Sequence, residues 1–255
     1  MSAGLRLFAR YAYPPNERGY CGPPDHHALL EYAASGTADR GLTELAKAFT
    51  GPWPYLTLLA GAAGVDDPFD ERVVEAYWVG NELLERVQPA DFGRTLEDRF
   101  RPRAGRSFGF LAEGVPEGAV CHHSFHVFGV YPWVGLLGEA HRGEPLHILD
   151  RCRIRWGRVL DVTGSTVLVE SRPLTWDGRR LGLGEVAAES ATRALDGLGL
   201  AGSPLAAGDW VSLHWDWVCD RLSPRQLDHL QRYTHRQLVI TNDRVAHSGP
   251  GVAMA

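Results

Sequence analysis

The sequence lacks the signals that mark most nucleotide-driven and hydrolytic enzymes. It has no G-x-x-x-x-G-K-[ST] phosphate loop, no G-x-G-x-x-G fingerprint following a strand, no G-x-S-x-G nucleophile elbow and no H-E-x-x-H pair. Lysine is almost missing: of 26 basic residues only Lys47 is one. With a net charge of −5, a pI near 6.1 and no basic stripe, the chain is not composed as a nucleic-acid binder. The arginine bias reads as the mark of a GC-rich genome. No apolar run approaches the ~18 residues that span a bilayer, and the first ten residues form no signal-peptide core. A cytoplasmic protein is expected. The four cysteines, Cys21, Cys121, Cys152 and Cys219, include no C-x-x-C pair, so thiols are expected over disulfides.

Core-forming material is plentiful. The 255 residues are 44% hydrophobic and include eight tryptophans, enough for one large or two small domains. The spacing predicts an N-terminal, mainly helical domain over residues 1–144. Tyr11 to Pro24, dense in Pro, Gly and Tyr, reads as an ordered loop. Helices are predicted at 25–34 with Asp25 as N-cap, near 42–49, over 70–87 and over 91–100, and Trp53 to Ala60 reads as an apolar segment that Gly61 and Gly64 end. Arg101 to Gly118 has no sustained period. At Gly143-Glu144-Pro145 the pattern changes. Strands are predicted over 146–162, 166–170 and 209–218, with a hairpin turn at Thr163-Gly164-Ser165. Glu185 to Leu195 reads as an inserted helix, Leu181 to Gly184 as a turn, and Ser223-Pro224-x-Gln226 as the capping box of a last helix. The expected fold class is α+β: helices, then a small β-barrel over 145–255 closed by a C-terminal helix.

Two stretches carry candidate chemistry in the second half. In R-C-R-I-R-W-G-R-V, Cys152, Ile154 and Trp156 alternate with Arg151, Arg153 and Arg155, as on a strand with one buried face. In W-V-S-L-H-W-D-W-V, His214 shares the polar face with Ser212 and Asp216, and Asp216 is placed to orient the imidazole.

These stretches, in this order, resemble the HypC/HupF family of small [NiFe]-hydrogenase maturation chaperones. The shared elements are C-x-x-x-x-G-x-V at Cys152, Gly157 and Val159, the hairpin Arg158 to Glu170, the G-D-W-V-S-L-H strand from Gly208, and the short helix from Ser223. The resemblance covers roughly residues 146–238. It implies an OB-like barrel in which Cys152 and His214 contact iron that carries cyanide and carbonyl ligands transiently. It also implies maturation proteins or the hydrogenase large-subunit precursor as partners, and an assembly role rather than turnover. Trp156 stands where the family has proline. The whole chain also resembles a family associated with actinobacterial hydrogenase gene clusters.

A second reading centres on Cys121, His122, His123 and His126. On a helix, His122 and His126 would share a face with Cβ atoms ~6 Å apart, close enough for one ion. On a strand they would be ~13 Å apart. A metalloenzyme or haem protein built on these histidines is the alternative, and a metal-free interaction module is a third reading. Cys21, flanked by glycines near His26 and His27, is a weaker ligand candidate.

Overall fold

The computed structural model describes residues 3–104, 115, 118–138 and 143–247. The first helix, α1 (Ala3–Glu17), takes residues 11–17 of the stretch that reads as a Pro-rich loop, and residues 18–24 are loop. Its buried face explains the difference. Phe8, Ala9, Tyr11, Ala12 and Tyr13 all face the core, and Pro14 and Pro15 fall in the last turn. Helix α2 (His26–Ser35) begins as its cap predicts, with Asp25 Oδ1 accepting the Ala28 N–H at 3.1 Å, and stops at Gly36 with φ +67°. Next come α3 (Arg40–Lys47), capped by Asp39, and α4 (Trp53–Ala63), which passes through Gly61 and ends at Gly64.

The helix expected over 70–87 is broken. Helix α5 (Glu71–Trp78) stops short of Gly80, whose φ is +100°, and the chain resumes as a 3-10 turn, Glu82–Arg86, capped by Asn81. Gly80 is required twice over. Its backbone angle suits only glycine, and a Cβ there would lie 2.4 Å from Tyr233 Cδ2. Helix α6 (Pro89–Ala104) follows. Residues 105–114, 116 and 117, most of the aperiodic stretch, lie outside the described residues. The His-rich segment is helical: α7 (His123–Phe125) continues as a π-helical turn, His126–Val130, and then as a 3-10 turn, Pro132–Gly138.

Helix α8 (Gly143–Cys152) corrects the strand expected from residue 146. Pro145, Ile148, Leu149 and Cys152 recur at helical spacing and are all buried. Strand β1 (Arg155–Thr163) begins only afterwards and forms the predicted hairpin with β2 (Thr166–Ser171), Thr163 opposite Thr166. Leu181 to Leu183 is strand, not turn: β3 (Leu174–Trp176) and β4 (Leu181–Leu183) form a small separate ladder. Glu185 to Leu195 is not a helix. It supplies β5 (Ala187–Thr192), paired along β2, and β6 (Ala194–Leu195), paired with β7 (Leu198–Gly199). Gly197 to Gly202 spells G-x-G-x-x-G but leads into no helix. The strand expected over 209–218 is a hairpin, β8 (Trp210–His214) and β9 (Trp217–Arg221).

The five main strands form one mixed sheet in the order β1-β2-β5-β9-β8, with β8 returning to β1. A single parallel pair, Thr192 opposite Trp217, closes the ring. Gly157 permits the close approach of β1 to β2, since a Cβ there would sit 3.1 Å from the Glu170 carbonyl. Val159, Val167, Val169, Val211, Leu213 and Val218 fill the ring. Helix α9 (Pro224–His247) starts with the predicted box: Gln226 Oε1 accepts the Ser223 N–H at 3.0 Å and Ser223 Oγ accepts the Gln226 N–H at 3.3 Å. The chain is therefore α+β, helices followed by a mixed sheet and a C-terminal helix. Its largest apolar cluster draws on both halves, Phe8, Leu56 and Trp78 packing in one body with Ile154, Trp217 and Tyr233.

Candidate metal centre

Cys152 is the last residue of α8 and His214 the last of β8. Two bonds to the turn after His214 bring these ends together. The Trp215 N–H donates to the Arg151 carbonyl at 2.7 Å, and the buried Arg155 guanidinium donates to the Trp215 carbonyl. Trp215 accordingly holds a left-handed backbone, φ +53°, that a bulky side chain adopts rarely. Glu189 anchors the arginines, accepting from Arg155 at 2.6 and 2.8 Å and also from Arg151 and Ser171. Arg153, equally buried, pairs with Asp150 at 2.8 Å and donates to the Arg172 carbonyl at 2.6 Å. The arginine face of R-C-R-I-R is thus an interior ion-pair lattice, not a solvated face.

His123 opens α7 and supplies the third group. Its Nε2 lies 2.9 Å from the Cys152 carbonyl and its Nδ1 3.2 Å from the Tyr77 hydroxyl. A carbonyl only accepts, which assigns the proton to Nε2 and the lone pair to Nδ1. His214 Nδ1 lies 2.7 Å from the Tyr11 carbonyl on α1, so by the same reasoning His214 carries its proton on Nδ1. Its Nε2 lone pair is then bare, buried and without a hydrogen-bond partner. The Cys152 carbonyl is close enough to influence the ring, but lone pair and carbonyl are both acceptors and make no bond.

One ligand atom each from His123, Cys152 and His214 lies within 4.8 Å of the other two, and all three residues are buried. Burial sets their charge. It lowers the His123 imidazole to about 4, against the opposing pull of the Cys152 carbonyl. It lowers His214 far below the ordinary range, with the neighbouring His123 adding to the effect. The Cys152 thiol is pushed up by burial and, further, by Cys21. Without a cation the cluster is neutral, a thiol and two imidazoles. Trp78 walls it off, with ring centroids 4.6 Å from His123 and 5.7 Å from His214.

A bare lone pair on His214, a fixed Nδ1–H···O=C bond behind that imidazole, a His123 ring whose nitrogens meet the Cys152 carbonyl and the Tyr77 hydroxyl, and a thiol that a dication would deprotonate make a donor set suited to a transition metal. His123, Cys152 and His214 can hold one. Residues 1–248 match the family described as a family of unknown function, DUF6390. The chain belongs to the DUF6390 family. No curated protein and no solved structure matches it.

In this DUF6390 chain the other sequence candidates lie elsewhere. His122 does not share a helical face with His126, because it precedes the helix in extended conformation and caps it. Its Nδ1 accepts the Ser124 N–H at 3.2 Å and meets Ser124 Oγ at 2.7 Å. His122 Nε2 also lacks a hydrogen-bond partner, but no thiol or carboxylate joins it in a ligand group among the described residues. His126 Nδ1 meets the Tyr55 hydroxyl at 3.3 Å, and Tyr131 packs edge-on against its ring. Burial lowers both imidazoles to about 3, helped by the charge of His123. The Cys121 thiol, fully buried in the apolar core, is pushed up to about 12. Asp216 does not orient His214. It pairs with Arg18 and, at 3.7 Å, with Arg151, and the Tyr11 carbonyl holds the imidazole instead. The Tyr11 carbonyl is free to do so because Pro15, four residues on in α1, has no N–H to donate to it, and that proline is the signal the sequence carries for this part. Cys21 is half-buried on the loop after α1.

Proposed function

We propose that this protein holds iron on Cys152, His214 and His123, and acts as an assembly factor that passes a metal fragment on, not as a turnover enzyme. The observation that carries this reading is the convergence of these three donors within 4.8 Å. Cys152 and His214 are the two residues to which the HypC-like resemblance gives iron contact, and they lie far apart in sequence. His123 belongs to the histidine run read separately as a metal site, so the two metal readings merge in one centre. The small closed sheet agrees with a HypC-like, OB-like barrel. The cargo of this reading is iron with cyanide and carbonyl ligands. The partners are hydrogenase maturation proteins or the large-subunit precursor.

The chain's residues have definable tasks in holding such cargo. Cys152 gives up its proton and binds as thiolate, the soft donor that suits iron. The Tyr11 carbonyl fixes the His214 tautomer, so that Nε2 faces the ion. Tyr77, Trp78 and Tyr11 keep bulk water out. No helix among the described residues is long and apolar enough to cross a membrane, in keeping with a partner met in the cytoplasm.

The test is anaerobic purification after co-expression with hydrogenase maturation genes, beside Cys152→Ala and His214→Ala. Iron with infrared bands of bound cyanide and carbonyl, lost in both variants, is the expected result. Metal without diatomic bands would remove the hydrogenase role and keep the centre. A wild type free of metal, and unable to take up added Fe2+, would leave only the interaction-module reading.

A further inference from the structure

The short ladder of β3 and β4 has an open edge. Leu181, in β4, turns its N–H and C=O away from β3, and both bond to the Asn242 side chain of α9, at 2.7 and 2.9 Å. The Asn242 amide thus stands where the peptide group of a next strand would stand. Alternation along the strand turns the N–H and C=O of Leu183 to the same edge. Its ladder partner agrees, since Leu174 gives its N–H to Asp150 and not to Leu183. Among the described residues no strand lies beyond β4, and no hydrogen bond reaches the Leu183 main chain from that side. The edge opens instead into a cavity of about 500 Å3. The far wall is one face of α9, where His235, Leu238, Val239 and Asn242 recur at spacings of three and four. From Gln231 to Asn242 that wall is ~16 Å long, the length of about five residues of strand. Trp156 lines the cavity, its ring 6.0 Å from that of His235. A second cavity of about 200 Å3, lined by Val186 and Trp210, shares Trp156 and Arg172 with the first, so the two join into one groove.

Charge along the groove has one sign where it is unbalanced. No aspartate or glutamate among the described residues lines the larger chamber. The exposed Arg172 guanidinium donates to the Gly184 carbonyl at 3.3 Å and meets no described carboxylate. The smaller chamber adds Arg158 and Glu170, opposed across β1 and β2, and so no net charge. We propose that this groove takes an extended segment of a partner protein, laid as a further strand on the β4 edge at Leu183, with apolar side chains against Trp156 and Val239 and a carboxylate on Arg172. Main-chain bonds to Leu183 hold the segment, and the groove selects its side chains. Because the groove runs on past Arg172, the segment passes through it, and the occupant is an internal stretch that alternates apolar and acidic residues. The proposal does not depend on the metal reading. The docking surface nevertheless adjoins α8, the helix that ends in Cys152: Asp150 accepts the Leu174 N–H at 2.8 Å, and Arg153 donates to the Arg172 carbonyl at 2.6 Å.

Fluorescence anisotropy of labelled, end-capped heptapeptides with the full chain tests this. One set alternates Val, Leu or Phe with Glu, and the matched set carries Lys in place of Glu. The Glu set is expected to bind about tenfold tighter than the Lys set, and to slow amide hydrogen exchange at Leu183. Arg172→Glu should invert the preference, an outcome that a folding defect does not give. Val239→Glu, at a position 56% exposed, should weaken the Glu set about tenfold and leave thermal unfolding unchanged. Methylating the central peptide nitrogens of the probe should abolish binding. Equal binding of the two sets, binding without slower exchange at Leu183, or no binding by either set would overturn the proposal. A chain that is dimeric in sedimentation, with Leu183 protected before peptide is added, would give the groove to a second copy and overturn it too.

Discussion

The Nδ1 nitrogen of His214, at the end of β8, sits 2.7 Å from the main-chain carbonyl of Tyr11, in the middle of α1. This one bond sets the tautomer of the imidazole, buries its free lone pair beside Cys152 and ties the first helix to the sheet. His214→Ala is therefore expected to act in two ways. It removes a ligand, and it leaves the Tyr11 carbonyl buried and unpaired, at a cost of about 1–3 kcal/mol. Urea denaturation should record the stability loss, and Co2+ titration the lost binding. Unchanged Co2+ affinity in a folded His214→Ala protein would remove His214 from the centre.

His122 and His126 should separate cleanly from His123. His122→Ala removes the cap of α7 and should lower stability by about 1 kcal/mol without changing metal stoichiometry. His126→Ala removes the Tyr55 contact and should also leave stoichiometry intact. His123→Ala should abolish it. Metal analysis of the three purified variants checks this, and metal lost with His122 or His126 alone would restore the two-histidine helical site.

Acid should unlock the arginine lattice through Glu189. Burial pushes its carboxyl up, but the charge of Arg155 and the hydrogen bonds from Arg155, Ser171 and Arg151 prevail and hold it at about 2. A carboxyl lower in the folded than in the unfolded state adds stability above its unfolded value, near 4.5, and that stability is lost as pH falls towards 2. Because solvent screens this partly exposed carboxylate, the contribution is on the order of 1–2 kcal/mol. The urea midpoint of wild type should fall steeply from pH 5 to pH 2. Glu189→Gln should be less stable at pH 7 and show a flatter profile, and parallel profiles would refute the assignment.

Gly80→Ala should be among the costliest single-methyl additions in the chain. It would place a Cβ 2.4 Å from Tyr233 at φ +100°, with strain of order 1–3 kcal/mol from the backbone alone. Thermal unfolding should fall by several degrees, and a neutral result would show that Tyr233 moves aside freely.

Cap residues announced their helices. Asp25 and Ser223 sit where their side-chain bonds are found, because capping is local chemistry. The break at Gly80 was not legible, since periodicity over 70–87 persists on both sides and the reason for the glycine is Tyr233, far along the chain. The alternation around Cys152 misled for a different cause. Period two assigns arginines to a polar face, but it cannot tell a solvated face from one paired internally, and Arg153 and Arg155 are paired. Helical spacing over Pro145, Ile148, Leu149 and Cys152 competed with that alternation and prevailed through Cys152. At the candidate centre, the resemblance points to Cys152 and His214. The sequence groups His123 with His122 and His126, because adjacency in sequence says nothing about which imidazole faces α8.

The bond between Tyr11 and His214 spans 203 positions. At a synthesis rate of roughly 5–20 residues per second, α1 emerges about 10–40 s before its partner exists. For that interval Phe8 and Tyr11 can pack on Phe49, Phe69 and Trp78, but Tyr13 lacks Trp217 and the Tyr11 carbonyl lacks His214. The candidate centre is complete only once His214 has been made, so a chain that gathers His123, Cys152 and His214 is one whose sheet has met α1.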